Sequence, residues 1–181
     1  SGLPISVSLN GRALCAGVLQ TRLVAEGKEY DSHHAAELLE VEEAGPVRVV
    51  VHSKGHYRSA DGEALLAYEI RFVFYADSPF FRIYHAWGND RPELFTCFDE
   101  ISLDVPLADD KDRPWTAGLG QGQTATGTGE FQLRQMRHDS FETTATSAGN
   151  AELSRADGWI DTPGLMVAVR DFWQLYPKEF S

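Results

Sequence analysis

A period of two is the feature that most limits what this chain can fold into. Val47, Val49 and Val51 alternate with Arg48, Val50 and His52, and Ile70, Phe72 and Phe74 alternate with Arg71, Val73 and Tyr75. Phe81, Ile83, His85 and Trp87 alternate with Arg82, Tyr84 and Ala86. Ile101, Leu103, Val105 and Leu107 alternate with Ser102, Asp104 and Pro106, and Val167 and Val169 with Met166, Ala168 and Arg170. Successive strand side chains point to opposite faces, so each run predicts a strand, several of them with one face for a core. Turn residues fall between the runs: Ala44-Gly45-Pro46, Ser59-Ala60-Asp61-Gly62, Ala76-Asp77-Ser78-Pro79 and Gly88-Asn89-Asp90-Arg91-Pro92. Gly and Asn supply positive φ and Pro presets a turn position, so the strands are expected to join by hairpins and pair antiparallel.

Helical patterning is thin. Residues 34–42 carry helix formers, but the Gly45-Pro46 turn just beyond favours a strand over Leu38–Glu42. The expected fold class is therefore all-β, an antiparallel β-sandwich, in one domain over residues 3–180. Residues 109–128, rich in Asp and Gly, are expected to form a long loop, and Gly118-Leu119-Gly120-Gln121-Gly122 a flexible part of it. Its GxGxG spacing has no strand leading in and no helix following, so it is not read as a phosphate loop.

Charge removes some functions. With 27 Asp and Glu against 16 Lys and Arg, the net charge of −11 suits neither nucleic acid nor an anionic membrane surface. No apolar run approaches the ~18 residues of a membrane span, and no signal peptide is visible. The start at Ser1-Gly2, without an initiator Met, reads as the scar of a cleaved tag, and the chain as an excised piece of a longer protein. Cys15 and Cys97 form no CxxC pair, and whether they are joined stays open. His33-His34 would face opposite sides of a strand, and the Asp109–Asp112 run lacks the later ligands of an EF-hand. Neither a metal nor a cofactor is expected. HExxH and GxSxG are absent as well.

The chemistry-bearing residues gather in three places. The Phe81–Trp87 strand carries Arg82 and Tyr84 on one face and His85 and Trp87 on the other. Such a strand suits sugar recognition: aromatic rings cover the apolar side of a pyranose and Arg holds a carboxylate in a fork. Arg113 and Trp115 are a candidate ligand contact inside the expected loop. At the C-terminal end, Phe172, Trp173, Gln174, Tyr176 and Lys178 follow a strand and crowd polar tips among aromatics, as interdomain surfaces do.

Gly158-Trp159 followed by Val169-Arg170-Asp171-Phe172-Trp173-Gln174-Leu175-Tyr176-Pro177-Lys178 resembles the end of the central β-sandwich domain of exo-rhamnogalacturonan lyase-like proteins, the YetA-like group. Gly45–Val51, Tyr68–Phe72 and Tyr75–Phe80 resemble earlier strands of that domain. The resemblance runs from about Pro4 to Lys178. It implies a galactose-mutarotase-like supersandwich, flanked in the whole protein by an N-terminal barrel and a C-terminal α/α toroid. It also implies a secreted protein, extracellular or periplasmic, that cleaves rhamnogalacturonan or another pectin-type polysaccharide by β-elimination.

That reaction requires a group to neutralise the uronate carboxylate, a base for the C5 proton and an acid for the leaving oxygen. Arg82, Arg113 and Arg170 are the candidate carboxylate partners, with Trp87 and Trp115 as sugar contacts. His85, Tyr84, His56 and Tyr57 are the candidate acids and bases. Two other readings stand beside this one. The first is a non-catalytic carbohydrate-binding or scaffold domain packed on the toroid. The second is a mutarotase-like epimerase pairing His85 with Glu69 or Glu100.

Overall fold

The computed structural model describes residues 8–9, 12–13, 17–92, 95–107, 112–144 and 155–181. Among them every regular element is a β-strand, every pairing is antiparallel, and no helix is long and apolar enough to cross a membrane. The all-β antiparallel sandwich is thus what this sequence adopts. The chain divides into two compact units, residues 1–108 and 109–181.

Unit 1 contains β1 (Ser8–Leu9), β2 (Arg12–Ala13), β3 (Gln20–Ala25), β4 (Lys28–Asp31) and β5 (Leu38–Ala44). The longer strands β6 (Arg48–Arg58), β7 (Ala64–Tyr75) and β8 (Phe81–Gly88) follow, then β9 (Glu100–Asp104). One sheet runs β8-β7-β6-β4-β3-β9, with β5 also paired to β6. The long strand β6 explains how one sheet makes a sandwich. Its first part pairs with β5, and only its last residue, Arg58, meets β4, opposite Asp31. The sheet therefore has two wings, β5 to β8 and β4-β3-β9. Leu23, Ala25 and Tyr30 of one wing share a core with Tyr57, Tyr68, Ile70 and Phe72 of the other. Alternation decides which residues enter it: β3 buries Thr21, Leu23 and Ala25 and turns Gln20, Arg22 and Val24 outward.

The same rule divides the β5–β8 wing into two faces. Residues directly opposite one another in an antiparallel pair lie on one face. Ser53 faces Ile70, Val51 faces Phe72, and Phe72 faces Ile83, which is the core side. Glu40 faces His52, His52 faces Arg71 and Arg71 faces Tyr84, so a polar row crosses four strands on the outer side.

Unit 2 contains β10 (Pro114–Gly120), β11 (Gln123–Thr128), β12 (Leu133–Arg137), β13 (Ser140–Thr143), β14 (Trp159–Thr162), β15 (Leu165–Ala168) and β16 (Lys178–Phe180). They form two sheets, β11-β10-β14-β15 and β13-β12-β16, and one core holds Trp115, Ala117 and Leu119 of the first with Leu133 of the second. Gln135 is buried there at no cost in lost hydrogen bonds. Its amide donates to the carbonyls of Arg137 (2.5 Å) and Ser140 (3.1 Å), and its oxygen accepts from Ala156 N (2.9 Å).

The expected loop over 109–128 is largely a hairpin instead. Residues 108–111 lie outside the described ones, and β10 and β11 then turn through Gln121-Gly122, both at positive φ (53° and 75°). The glycines misled because they serve packing. A Cβ on Gly118 would stand 2.2 Å from Trp159 Nε1, so the indole lies against bare backbone.

Candidate functional site

The outer face of β5–β8 holds a dense polar arrangement. Glu42 receives Arg71 in a fork, from Nε at 2.7 Å and from Nη2 at 3.1 Å, and the same guanidinium lies 2.8 Å from Glu69. The bonded Arg71 guanidinium holds the Glu42 carboxyl below its usual range, and Arg71 is raised in return. His52 lies beneath these groups with 8% of its side chain exposed. Its Nδ1 lies 3.4 Å from Glu40. Its Nε2 is 2.9 Å from Glu69 but is not aligned to share a hydrogen bond with it.

At the edge of the same face, Tyr84 is 51% exposed. Arg82 lies one step along β8 from it, with its guanidinium 5.7 Å from the Tyr75 ring centre. Hydrogen bonding to Tyr84 raises the Arg82 pKa further, so the group is a permanent cation. Among the described residues no carboxylate pairs with Arg82. It is an exposed guanidinium flanked by two aromatic rings, which can take a planar carboxylate in a fork and leave the rings to a sugar face.

The opposite face carries a different pair. Tyr57 Oη and His85 Nε2 are 2.7 Å apart, and the phenol, the better donor of two neutral groups, is assigned as donating. The ring proton of His85 then sits on Nδ1. Burial pushes His85 down to about 4 and Tyr57 up to about 12, so both are neutral at pH 7. Trp87 meets the imidazole edge to face at 5.5 Å and is 49% exposed.

The four residues expected to transfer protons do not converge. Tyr57 is 0% exposed and touches no substrate; its place is beneath His85, where it fixes the ring. Tyr84 and His85 point to opposite faces of β8. His56 is on the outer face, but its two nitrogens lie 2.7 Å from Glu37 and 2.7 Å from Asp90. Hydrogen bonds to those carboxylates raise its pKa and occupy both ring nitrogens, so neither is open to take a substrate proton. The epimerase pairing fails on geometry too. Glu69 is on the outer face, across the sheet from His85, and Glu100 is 3.0 Å from Arg22.

Unit 2 corrects further expectations. Trp115 is 8% exposed and packs on Phe131 with ring centres 4.3 Å apart, so most of the indole serves as core. Phe172 is 2% exposed and stacks on Phe180 at 5.2 Å, which removes it from any interdomain surface. Lys178 donates to the carbonyls of Arg170 (2.9 Å) and Asp171 (3.2 Å), and burial lowers its pKa: it ties down the turn at 170–175. Trp173 is half-buried under Arg155 at 4.3 Å, while Gln174 and Tyr176 are exposed. Arg113 is half-buried, and Arg170 is exposed beside Asp171 at 3.4 Å. Among the described residues that line a cleft of about 350 Å³ beside Trp115, Asp161 is the one titratable side chain, so they offer no acid–base pair.

Sequence reasoning passed over Glu40, Glu42, His52 and Arg71, and considered Glu69 only as a partner for His85. They occupy the polar positions of the same alternation that revealed the core, but the pairing register that aligns them is a long-range property.

The strands expected to resemble a known domain are also the ones that carry this face. Residues 12–112 match the family model of the PcRGLX-like protein central beta sandwich domain. The chain belongs to that family. The matched span includes the whole polar face of β5–β8, and the Gly158–Lys178 stretch lies outside it. No curated protein and no solved structure matches the chain.

Proposed function

We propose that this chain is the central sandwich of a secreted polysaccharide lyase-like protein that acts on rhamnogalacturonan or a similar pectin-type polysaccharide. In this reading unit 1 supplies part of the sugar cleft. The single observation that carries the reading is Arg82, an exposed guanidinium between Tyr75 and Tyr84 that has no carboxylate partner among the described residues. In β-elimination the C5 proton passes to a base, the C4–O bond breaks and a C4–C5 double bond forms. Neutralising the carboxylate on C5 is what makes that proton acidic, and a bidentate guanidinium does so. The family description as a central domain supports neighbours on both sides, for which a barrel and an α/α toroid are the proposed identities.

The scatter of Tyr57, His85, Tyr84 and His56 favours a second reading of the same domain, as a binding or scaffold module whose acid and base are elsewhere. One variant separates them. The natural protein is assayed on rhamnogalacturonan for the absorbance of unsaturated uronate, with and without Arg82→Ala. Loss of turnover by a factor of about 100 or more supports the cleft. Full turnover in the variant leaves only the scaffold reading, and absence of product from any uronate polymer removes the lyase reading.

A further inference from the structure

Resting on the reading of Arg82 as a uronate contact, we propose that the neighbouring cluster around His52 is a second subsite, for the hydroxyl groups of an uncharged sugar unit. Its members are Glu40, His52, Glu69 and Arg71, with Tyr84 at its border, and the register places Glu40, His52, Arg71 and Tyr84 in one row.

Charge decides the ligand class. Arg71 is already held by Glu42 at 2.7 Å and by Glu69 at 2.8 Å, so a uronate arriving here displaces a bonded carboxylate and meets two others. A cation meets the fixed guanidinium, and among the described residues no three His, Cys, Asp or Glu side chains are placed to hold a metal. A hydroxyl suits the cluster because it both donates and accepts. It inserts between a carboxylate and a guanidinium without changing the charge balance. A pair of neighbouring sugar hydroxyls matches such a donor–acceptor pair.

His52 supplies the independent observation. Its side chain is more than nine-tenths buried, and its Nε2 has no aligned hydrogen bond although Glu69 is 2.9 Å away. Buried polar atoms nearly always have a partner, so this nitrogen calls for one on the polar face. A small rotation of Glu69 toward a ligand hydroxyl opens that position. Tyr84 gives the bound ring an exposed aromatic surface on the Arg82 side. The face thus reads two unlike units in succession: a uronate at Arg82 and an uncharged sugar at His52.

The test compares two probes of equal length on this chain by calorimetry: a rhamnogalacturonan hexasaccharide, in which uncharged and uronate units alternate, and hexagalacturonate. The mixed oligosaccharide should bind about tenfold tighter or more, a difference of one to two hydrogen bonds to charged groups. Glu40→Gln, at a half-exposed position that does not threaten folding, and His52→Gln should each erase most of that preference. Arg82→Ala should weaken both probes alike. Equal affinity for the two probes, or a preference untouched by Glu40→Gln, overturns the subsite and leaves the uronate reading standing. Binding of neither probe overturns both.

Discussion

His56 and His85 sit on opposite faces of one sheet and are tuned in opposite directions. Desolvation alone lowers His85 to about 4, whereas bonds to Asp90 and Glu37 raise His56. An unperturbed histidine titrates near ~6.5. Ring-proton NMR should therefore find His85 titrating near 4 and His56 above the ordinary value, and Asp90→Asn should bring His56 back down. The stability consequences have opposite signs. His85 contributes stability that is full above about 6.5 and is lost as pH falls toward 4, on the order of 3 kcal/mol. His56 contributes stability that is full below about 6.5 and is lost as pH rises through its raised value. A second prediction follows from the Tyr57–His85 hydrogen bond: Tyr57→Phe leaves His85 Nε2 without its partner and should cost about 1–3 kcal/mol in urea unfolding, with Arg82-dependent sugar binding intact. At this scale the sequence announced the residue types and not their tuning. Arg82, Tyr84, His85 and Trp87 were legible from alternation along one strand. That Tyr57 is buried, or that His56 is clamped by Glu37 and Asp90, depends on residues far away in the chain.

Elements were legible where a polar–apolar alternation was long enough to be read by itself. The strands β6, β7 and β8 and the hairpin turns between them follow directly from it. The strands β10 and β11 did not, since their glycines read as loop composition while they make room for Trp159 and for the turn at Gln121-Gly122. Gly158 shows the same kind of constraint. It has φ of +73°, and a Cβ there would stand 2.2 Å from Cβ of Phe172. Both the left-handed backbone and the stacked Phe172–Phe180 pair oppose a side chain. Gly158→Ala should therefore destabilise unit 2 by about 2–4 kcal/mol. Calorimetric melting checks this, and a melting point unchanged from the wild type would mean that the Phe172 packing is misassigned. The control is Gly62→Ala, which has a positive φ but open space around it and should cost less.

For the whole molecule, family membership was legible and its extent was not. The C-terminal aromatic stretch and the upstream strands both carried the resemblance, yet the match lies over residues 12–112, where the upstream strands build the polar face. The aromatics of the C-terminal stretch are largely occupied otherwise: Phe172 fills the core of unit 2 and Trp173 lies under Arg155. The net charge of −11 fits this division of labour. On the outer face Arg48 pairs with Glu43, Arg71 with Glu42 and Glu69, and His56 with Glu37 and Asp90, while among the described residues Arg82 has no carboxylate partner. Exposed pairs of this kind add little stability because solvent screens them, so they do not account for the fold. The most direct test of this account is a calorimetric titration of the chain with hexagalacturonate, beside Arg82→Ala. The account predicts salt-sensitive binding by the wild type and a loss of about tenfold or more in the variant, with an unchanged melting point. Binding of equal strength by the two proteins would contradict it.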